Sequence, residues 1–401
     1  MELIGSPLQL ASAVLVNLIG LLLTLRAGRM LGVRPARAMM LYAWHSLFCL
    51  AYALYATENG ADALVYYMKA QQGEFMAPFG TGAVVNIATL FVTGLNLSFL
   101  GACLLFNIFG AIGLVAFDAS LQAATADKSR MLRRFVTLIV LLPSISFWSS
   151  ALGKDSLAFM AAALALFASL DMGRRVVLLA LAIFVMALVR PHIAGIMVIA
   201  LAGSLVLQRR LPLGQRLFLG TAALAATAAM VPFALTYAGL GDASGADDIM
   251  NYVEHRQSLN TEGGSSVDIA SMSLPLQLFS YLFRPLPFEA GSIFALAASM
   301  DNVVLIFLAI AACGQMFRRR KLAGNRAFMW FYCLLTWLIL AITTANLGIA
   351  VRQKWMFAPI LIYLFISLMG RSRTRQPSTR MKMQSRNALA AAQPYSGVIE
   401  P

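Results

Sequence analysis

Two long runs without a charged residue, Val176–Val189 and Ile193–Leu207, meet at the stretch Val189-Arg190-Pro191-His192. Arg174-Arg175 bound the pair on one side and Arg209-Arg210 on the other. Two apolar segments that turn at an Arg-Pro-His corner and end on paired arginines read as two membrane helices. Few other folds accommodate them. A cation beside a hydrocarbon core costs several kcal/mol unless it faces a cavity or a partner, so Arg190 and its neighbour His192 are functional candidates.

The rest of the 401 residues repeats the pattern. Sixty per cent of them are apolar, 12% are charged, and the mean hydropathy is +0.76. That composition excludes a water-soluble globule and predicts an all-α polytopic membrane protein. A net charge of +14 would suit a nucleic-acid binder, but most of the 31 Lys and Arg residues fall in segments that alternate along the chain on one side. Such alternation is topological bias, so no nucleic-acid partner is expected. Cys49, Cys103, Cys313 and Cys333 lie inside apolar runs, where neither a disulfide nor a zinc site is expected. Glu2 stands where a signal peptide would be basic, so Leu8–Leu25 is read as a retained first span.

The basic segments orient the spans. Arg26, Arg29, Arg34 and Arg37 follow the first span, which places the N-terminus outside. Ala38–Ala56 returns to an outer loop, 57–82, in which residues 61–70 form a short surface helix. Ala83–Leu95 reads as interfacial or re-entrant and Leu97–Phe117 as a full crossing. Two short hairpins follow, 135–170 and 176–207; the first is broken by Pro143. Leu217–Tyr237 leads to a second outer loop, 238–290, with a polar first part and an apolar stretch at Leu274–Phe283. Gly291–Gly314, Ala327–Ala345 and Trp355–Gly370 complete about eleven spans, with NLGIAVRQK (346–354) as the last outer turn. Residues 1–370 form the integral domain, and 371–401 form a basic cytoplasmic tail expected to be disordered.

On this topology the unusual charges share the outer face: Lys154-Asp155, Arg190 with His192, Arg284 with Glu289, and Arg352 with Lys354. A lone Arg at a helix end ordinarily snorkels to lipid headgroups. Four such corners on one face, with helices short of the roughly 20 residues of a full crossing, point instead to a hollow open to the outside. Arg190, Arg284, Arg352, Lys154 and Lys354 are therefore candidate phosphate ligands, since guanidinium forks match phosphate oxygens. Asp155 and Asp301 are supporting acids. His192, Glu289 and Asp62 are the candidate general bases. Asp247-Asp248 reads as a solvated pair in a Gly/Ser-rich loop, and neither a metal nor a cofactor is expected. Walker A, Rossmann, HExxH and GxSxG patterns are absent from the sequence. A phosphate reached from outside and held in a membrane is most simply that of a lipid carrier.

The segments LPSISFWSSALGKDSL, RPH, SYLFRPLPFEAGS and NLGIAVRQKWMFAPIL, within Phe135 to Met369, resemble bacterial inner-membrane proteins of exopolysaccharide and O-antigen synthesis. They are similar to polysaccharide polymerases and more distantly to polyprenyl-phosphate-dependent glycosyltransferases of the GT-C type. The resemblance implies transfer or polymerisation of glycan from a polyprenyl-(pyro)phosphate carrier at the periplasmic face, with outward arginines, here Arg190, Arg284 and Arg352, on the phosphate. Its implied partners are the lipid-linked glycan, membrane lipids and other polysaccharide-synthesis proteins. The alternatives it leaves open are transfer of a single sugar from polyprenyl phosphate, for which Asp62 matches an acid in the first outer loop, and transport of the lipid-linked glycan without chemistry.

Overall fold

A computed structural model describes residues 2–207, 272–315 and 324–370, with isolated positions between 214 and 228. The described residues are helical and contain no strand. Arg209, Arg210, Arg216, most of Leu217–Tyr237, the polar part of loop 238–290, residues 318–321 and the tail 371–401 lie outside them.

The helix starts follow local chemistry. Ser6, Ser98, Ser129, Ser292 and Asn325 each accept a backbone N–H from the first turn they precede. Proline opens α1 (Pro7–Met30), α2 (Pro35–Asn59), α7 (Pro143–Ser149) and α10 (Pro191–Val206), where its missing N–H has no intrahelical partner to lose. Between these lie α3 (Asp62–Gln71), α4 (Thr81–Leu95), α5 (Phe99–Thr125), α6 (Arg130–Val140), α8 (Lys154–Ser169) and α9 (Val176–Val189). After the undescribed stretch come α11 (Leu274–Phe283), α12 (Ile293–Cys313), α13 (Arg326–Thr343), α14 (Leu347–Gln353) and α15 (Ala358–Leu368).

Among the described residues, six helices are long and apolar enough to cross a membrane, with α6 and α7 together counted as one. A seventh span arises if α14 and α15, bent 66° apart, are taken as a pair. The expectation of about eleven spans counts shorter apolar helices as well. Of these, α9 has 14 residues and α10 has 16, and neither reaches the length of a straight crossing. The expected outer turn 346–354 is itself helical: Asn346 accepts N–H groups from Gly348 and Ile349 and so nucleates α14. The last span begins correspondingly later, at Ala358 rather than Trp355.

At the centre stands α5, with 78% of its apolar window buried against 22% for α1. It packs on α8, α1 and α2. Close approach depends on its glycines: a Cβ on Gly110 would fall 1.9 Å from the Ser149 carbonyl oxygen, and one on Gly113 would fall 2.8 Å from Met160 Cα. Small residues at such crossings are how helices pack where lipid removes the hydrophobic drive between them. The outward faces of α1, α2 and α12 expose Leu, Ile, Met and Phe, as lipid contact requires.

Both ends of α4 are tied to one end of the bundle. Gly80 N–H donates to the Leu188 carbonyl (2.6 Å) at its start, and the Asn96 carbonyl accepts from Ser12 Oγ (3.5 Å) at its finish. With the surface helix α3 packed along it, α4 lies across that end and does not traverse the bundle, as the interfacial reading of 83–95 expects. All four cysteines are free.

Candidate functional site

The end of the bundle covered by α3 and α4 is where α8 begins, α9 turns into α10, and α14 stops. Pro191 disfavours helical geometry at the residue before it, and Arg190 accordingly adopts φ −146° and ψ 73° between the two helices. Asp155 sits in the first turn of α8, where the helix dipole favours an anion. Arg352 sits in the last turn of α14, where the dipole favours a cation. Short helices therefore present opposite charges to one spot.

Asp155 is the hub. Its Oδ1 accepts from Arg190 Nη2 at 2.9 Å, and its Oδ2 accepts from Arg352 Nε and Nη2 at 3.1 and 3.0 Å. Arg352 also reaches Asp62 Oδ2 on α3 at 3.4 Å, and its guanidinium lies over the Trp148 ring, 5.3 Å from the centroid. Next to the hub, Lys154 Nζ donates to Thr81 Oγ1 at 3.1 Å. Side-chain exposure grades outward, from 9% at Asp155 to 12% at Arg190, 28% at Arg352 and 58% at Asp62. Two guanidinium groups thus share two carboxylates, and Lys154 beside them brings one surplus positive charge, with Arg352 and Asp62 nearest the solvent.

Two buried polar atoms near this cluster have no hydrogen-bond partner among the described residues: Arg190 Nε and the Tyr281 hydroxyl. Tyr281 is 3% exposed and lies close enough to Arg190 and Asp155 to feel both charges. Unpaired buried donors are costly and uncommon, so spare hydrogen-bonding capacity at this spot fits a place built for oxygen atoms. Beside Asp62, burial and the Asp62 carboxylate push the Tyr66 hydroxyl up to about 12, so it stays a neutral donor.

The other expected site residues fall elsewhere. Arg284 pairs with Glu289 (Nε to Oε1, 2.8 Å), and the second Glu289 oxygen accepts the Leu286 N–H at 2.7 Å, closing a local loop just after α11. Burial raises the Glu289 carboxyl, but the Arg284 and Leu286 donors outweigh it and hold the group below the usual range. Glu289 is therefore spoken for, and Arg284 has no bond to Asp155. Lys354 is fully buried in the 3-10 turn after α14 and donates to Asn302 Oδ1, whose Nδ2 donates to the Pro285 carbonyl at 2.9 Å. It braces the Arg284 loop from behind. Asp301 accepts the Ser144 N–H at 3.0 Å and so caps the start of α7 from across the bundle. His192 is half-buried in the first turn of α10, two residues past Arg190.

Other polar features were not legible as a site. Thr81 and Tyr281 carry ordinary loop and helix signals. Asp118, a lone acid in the apolar run of α5, was the available clue to a bidentate pair with Arg37 (2.8 and 2.6 Å), extended to Thr137 at 3.1 Å. A buried chain of His45, Asn107 and Ser149 joins α2, α5 and α7, with the imidazole 2.6 Å from Asn107 Oδ1 and 3.1 Å from Ser149 Oγ. It lies in the packed interior with every member at most 1% exposed, so it binds helices to one another.

Two clefts stand out among the described residues. One, of about 200 Å³, is lined by Gln9, Gln71, Thr93 and Asn96 where α3 and α4 cross α1. The other, of about 190 Å³, is apolar and lies between α2, α7 and α12, with Trp148 in its wall. The charged cluster itself lines neither, so its claim as a site rests on chemistry and not on a deep hollow. No protein-family model matches the chain, and neither a curated protein nor a solved structure matches it significantly.

Proposed function

We propose that this protein is a membrane enzyme that transfers or polymerises glycan from a polyprenyl-(pyro)phosphate carrier. The observation that carries this reading is the convergence of Arg190 and Arg352 on Asp155 at one end of the bundle, with Lys154 beside them on Thr81 and Arg352 displayed toward solvent. A (pyro)phosphate entering there replaces Asp62 on the outer side of Arg352, while Asp155 keeps both guanidinium groups aimed. In glycosyl transfer the bond from the anomeric carbon to the phosphate oxygen breaks as that carbon bonds to an acceptor hydroxyl. The departing phosphate gains negative charge, and Arg352, Arg190 and Lys154 stabilise it; removing one such preorganised donor typically costs about 10²–10³ in rate. Asp62, released from Arg352, takes the acceptor proton.

The cation bias of the sequence supports an inner-membrane protein with this end in the periplasm, the N-terminus outside, the C-terminus inside and about eleven spans. The second reading, transfer of a single sugar, is supported by Asp62, the acid of the first outer loop, which contacts Arg352 directly.

The test is a gene deletion complemented with Arg190→Ala or Arg352→Gln. Loss of polymer, with carrier-linked single repeats accumulating on the outer leaflet and normal protein levels, is the expected outcome. Repeats held on the inner leaflet would mark a flippase, and loss of one sugar from an otherwise complete polymer would mark the single-sugar transferase. Normal polymer from both variants would overturn the phosphate role.

A further inference from the structure

We propose that the apolar cleft between α2, α7 and α12 is the channel for the hydrocarbon chain of the same lipid whose phosphate the cations hold. This deepens the reading above and rests on it. The cleft is walled by Phe48 and Ala51 on α2, Phe147 and Trp148 on α7, and Phe294 and Ala297 on α12. An engineered apolar cavity of about 150 Å³ admits one benzene molecule, so about 190 Å³ has room for a segment of one chain.

Three observations say what occupies it. Trp148 belongs to both sites: one part of the residue walls the cleft, and the guanidinium of Arg352 stands over its ring. A chain in the cleft therefore ends beside a cation. The walls are held by edge-on and tilted aromatic contacts of Tyr55 and Phe294 (4.5 Å), Phe147 and Trp148 (5.0 Å), and Tyr52 and Phe147 (5.2 Å). The groove is thus kept open by rigid rings where flexible side chains would fill it. The rim at Ile293 is 77% exposed and Phe294 is 43% exposed, so the mouth opens sideways toward lipid. A phospholipid brings two chains to a head; a cleft for one chain, leading to a cation cluster with one surplus positive charge, suits a single-chain polyprenyl phosphate.

The cleft's small residues allow it to be filled without touching the cations. Ala51 is exposed and Ala297 is half-buried, so Ala51→Trp and Ala297→Phe add bulk to the cleft and leave the packed interior alone. The full-length protein in nanodiscs is titrated with undecaprenyl phosphate, farnesyl phosphate and inorganic phosphate, with thermal unfolding as the control for folding. Both variants are expected to weaken undecaprenyl phosphate at least tenfold, to weaken farnesyl phosphate less, and to leave inorganic phosphate unchanged. Undiminished undecaprenyl phosphate binding to both folded variants overturns the channel while the phosphate site stands. Undiminished binding of all three probes to Arg352→Gln overturns the underlying reading instead. A diazirine-bearing undecaprenyl phosphate should label Phe147 or Phe294 in the unaltered protein; labelling there by a diazirine phosphatidylglycerol alone would assign the cleft to bulk lipid and sink the proposal, whatever the variants do.

Discussion

The two ends of the bundle handle buried cations differently. At the end away from α3 and α4, three of the described cations have partners built into the bundle. Lys128 donates to the last carbonyls of α15, Ile366 and Ser367, both at 2.9 Å. Arg175 donates to the Phe167 carbonyl near the end of α8 at 2.8 Å and lies over the Phe167 ring. Arg37 has Asp118 as a bidentate partner. Lys128 and Arg175 complete orphan carbonyls near helix C-termini and meet the negative end of the dipole. At the Asp155 end, by contrast, two guanidinium groups share two carboxylates, one of them exposed, and Lys154 adds a third cation beside them. A closed end holds helices together, and an end with surplus charge and spare donors is able to bind.

The largest test of this contrast is removal of the two hubs. Asp155→Ala leaves Arg190 and Arg352 facing each other beside apolar helices, and breaking a buried pair in this way should cost about 3 kcal/mol or more. Asp118→Ala should cost less, about 1.5 kcal/mol, because it strands one guanidinium, Arg37, where Asp155→Ala strands two. Thermal unfolding in the same detergent compares them; equal losses would erase the distinction. Next in size, Arg352→Lys trades a two-point fork for a point charge. It should weaken phosphate binding by about tenfold, equivalent to about 1.4 kcal/mol, with little loss of stability. Lys128→Met does the reverse, costing about 1 kcal/mol of stability with ligand titrations unchanged.

The smallest effect concerns the Arg284 loop. Glu289 is held below its ordinary pKa, so its stabilising contribution is complete above about pH 4.3 and fades as the pH falls further. Glu289→Gln should flatten the acid side of the unfolding profile without altering phosphate affinity at neutral pH. A loss of affinity would return Arg284 and Glu289 to the binding site.

How much of this was readable beforehand depends on the range of the cause. The apolar runs, the Arg190-Pro191 corner, the surface helix near 61–70 and the helix Val176–Val189 are set by neighbours within a few residues, and the chain places them correctly, whereas Leu274–Phe283, legible only as an apolar stretch of the outer loop, is a helix. Residues 346–354 read as a turn because of their polar residues and glycine, while the Asn346 cap is enough to start a helix at Leu347. Asp62 and Arg352 meet across 290 positions, which no local pattern announces.

Composition and charge order by themselves determined that this chain is helical and membrane-embedded, since hydrocarbon tolerates only backbone whose hydrogen bonds are satisfied internally. They also supplied the candidate cations. Only the tertiary structure decided which of these act together: helix packing brought Asp155 between Arg190 and Arg352, consigned Arg284 to Glu289, and turned Asp301 into a helix cap. Charge pairing depends on distance in three dimensions, and spacing along a chain does not encode it.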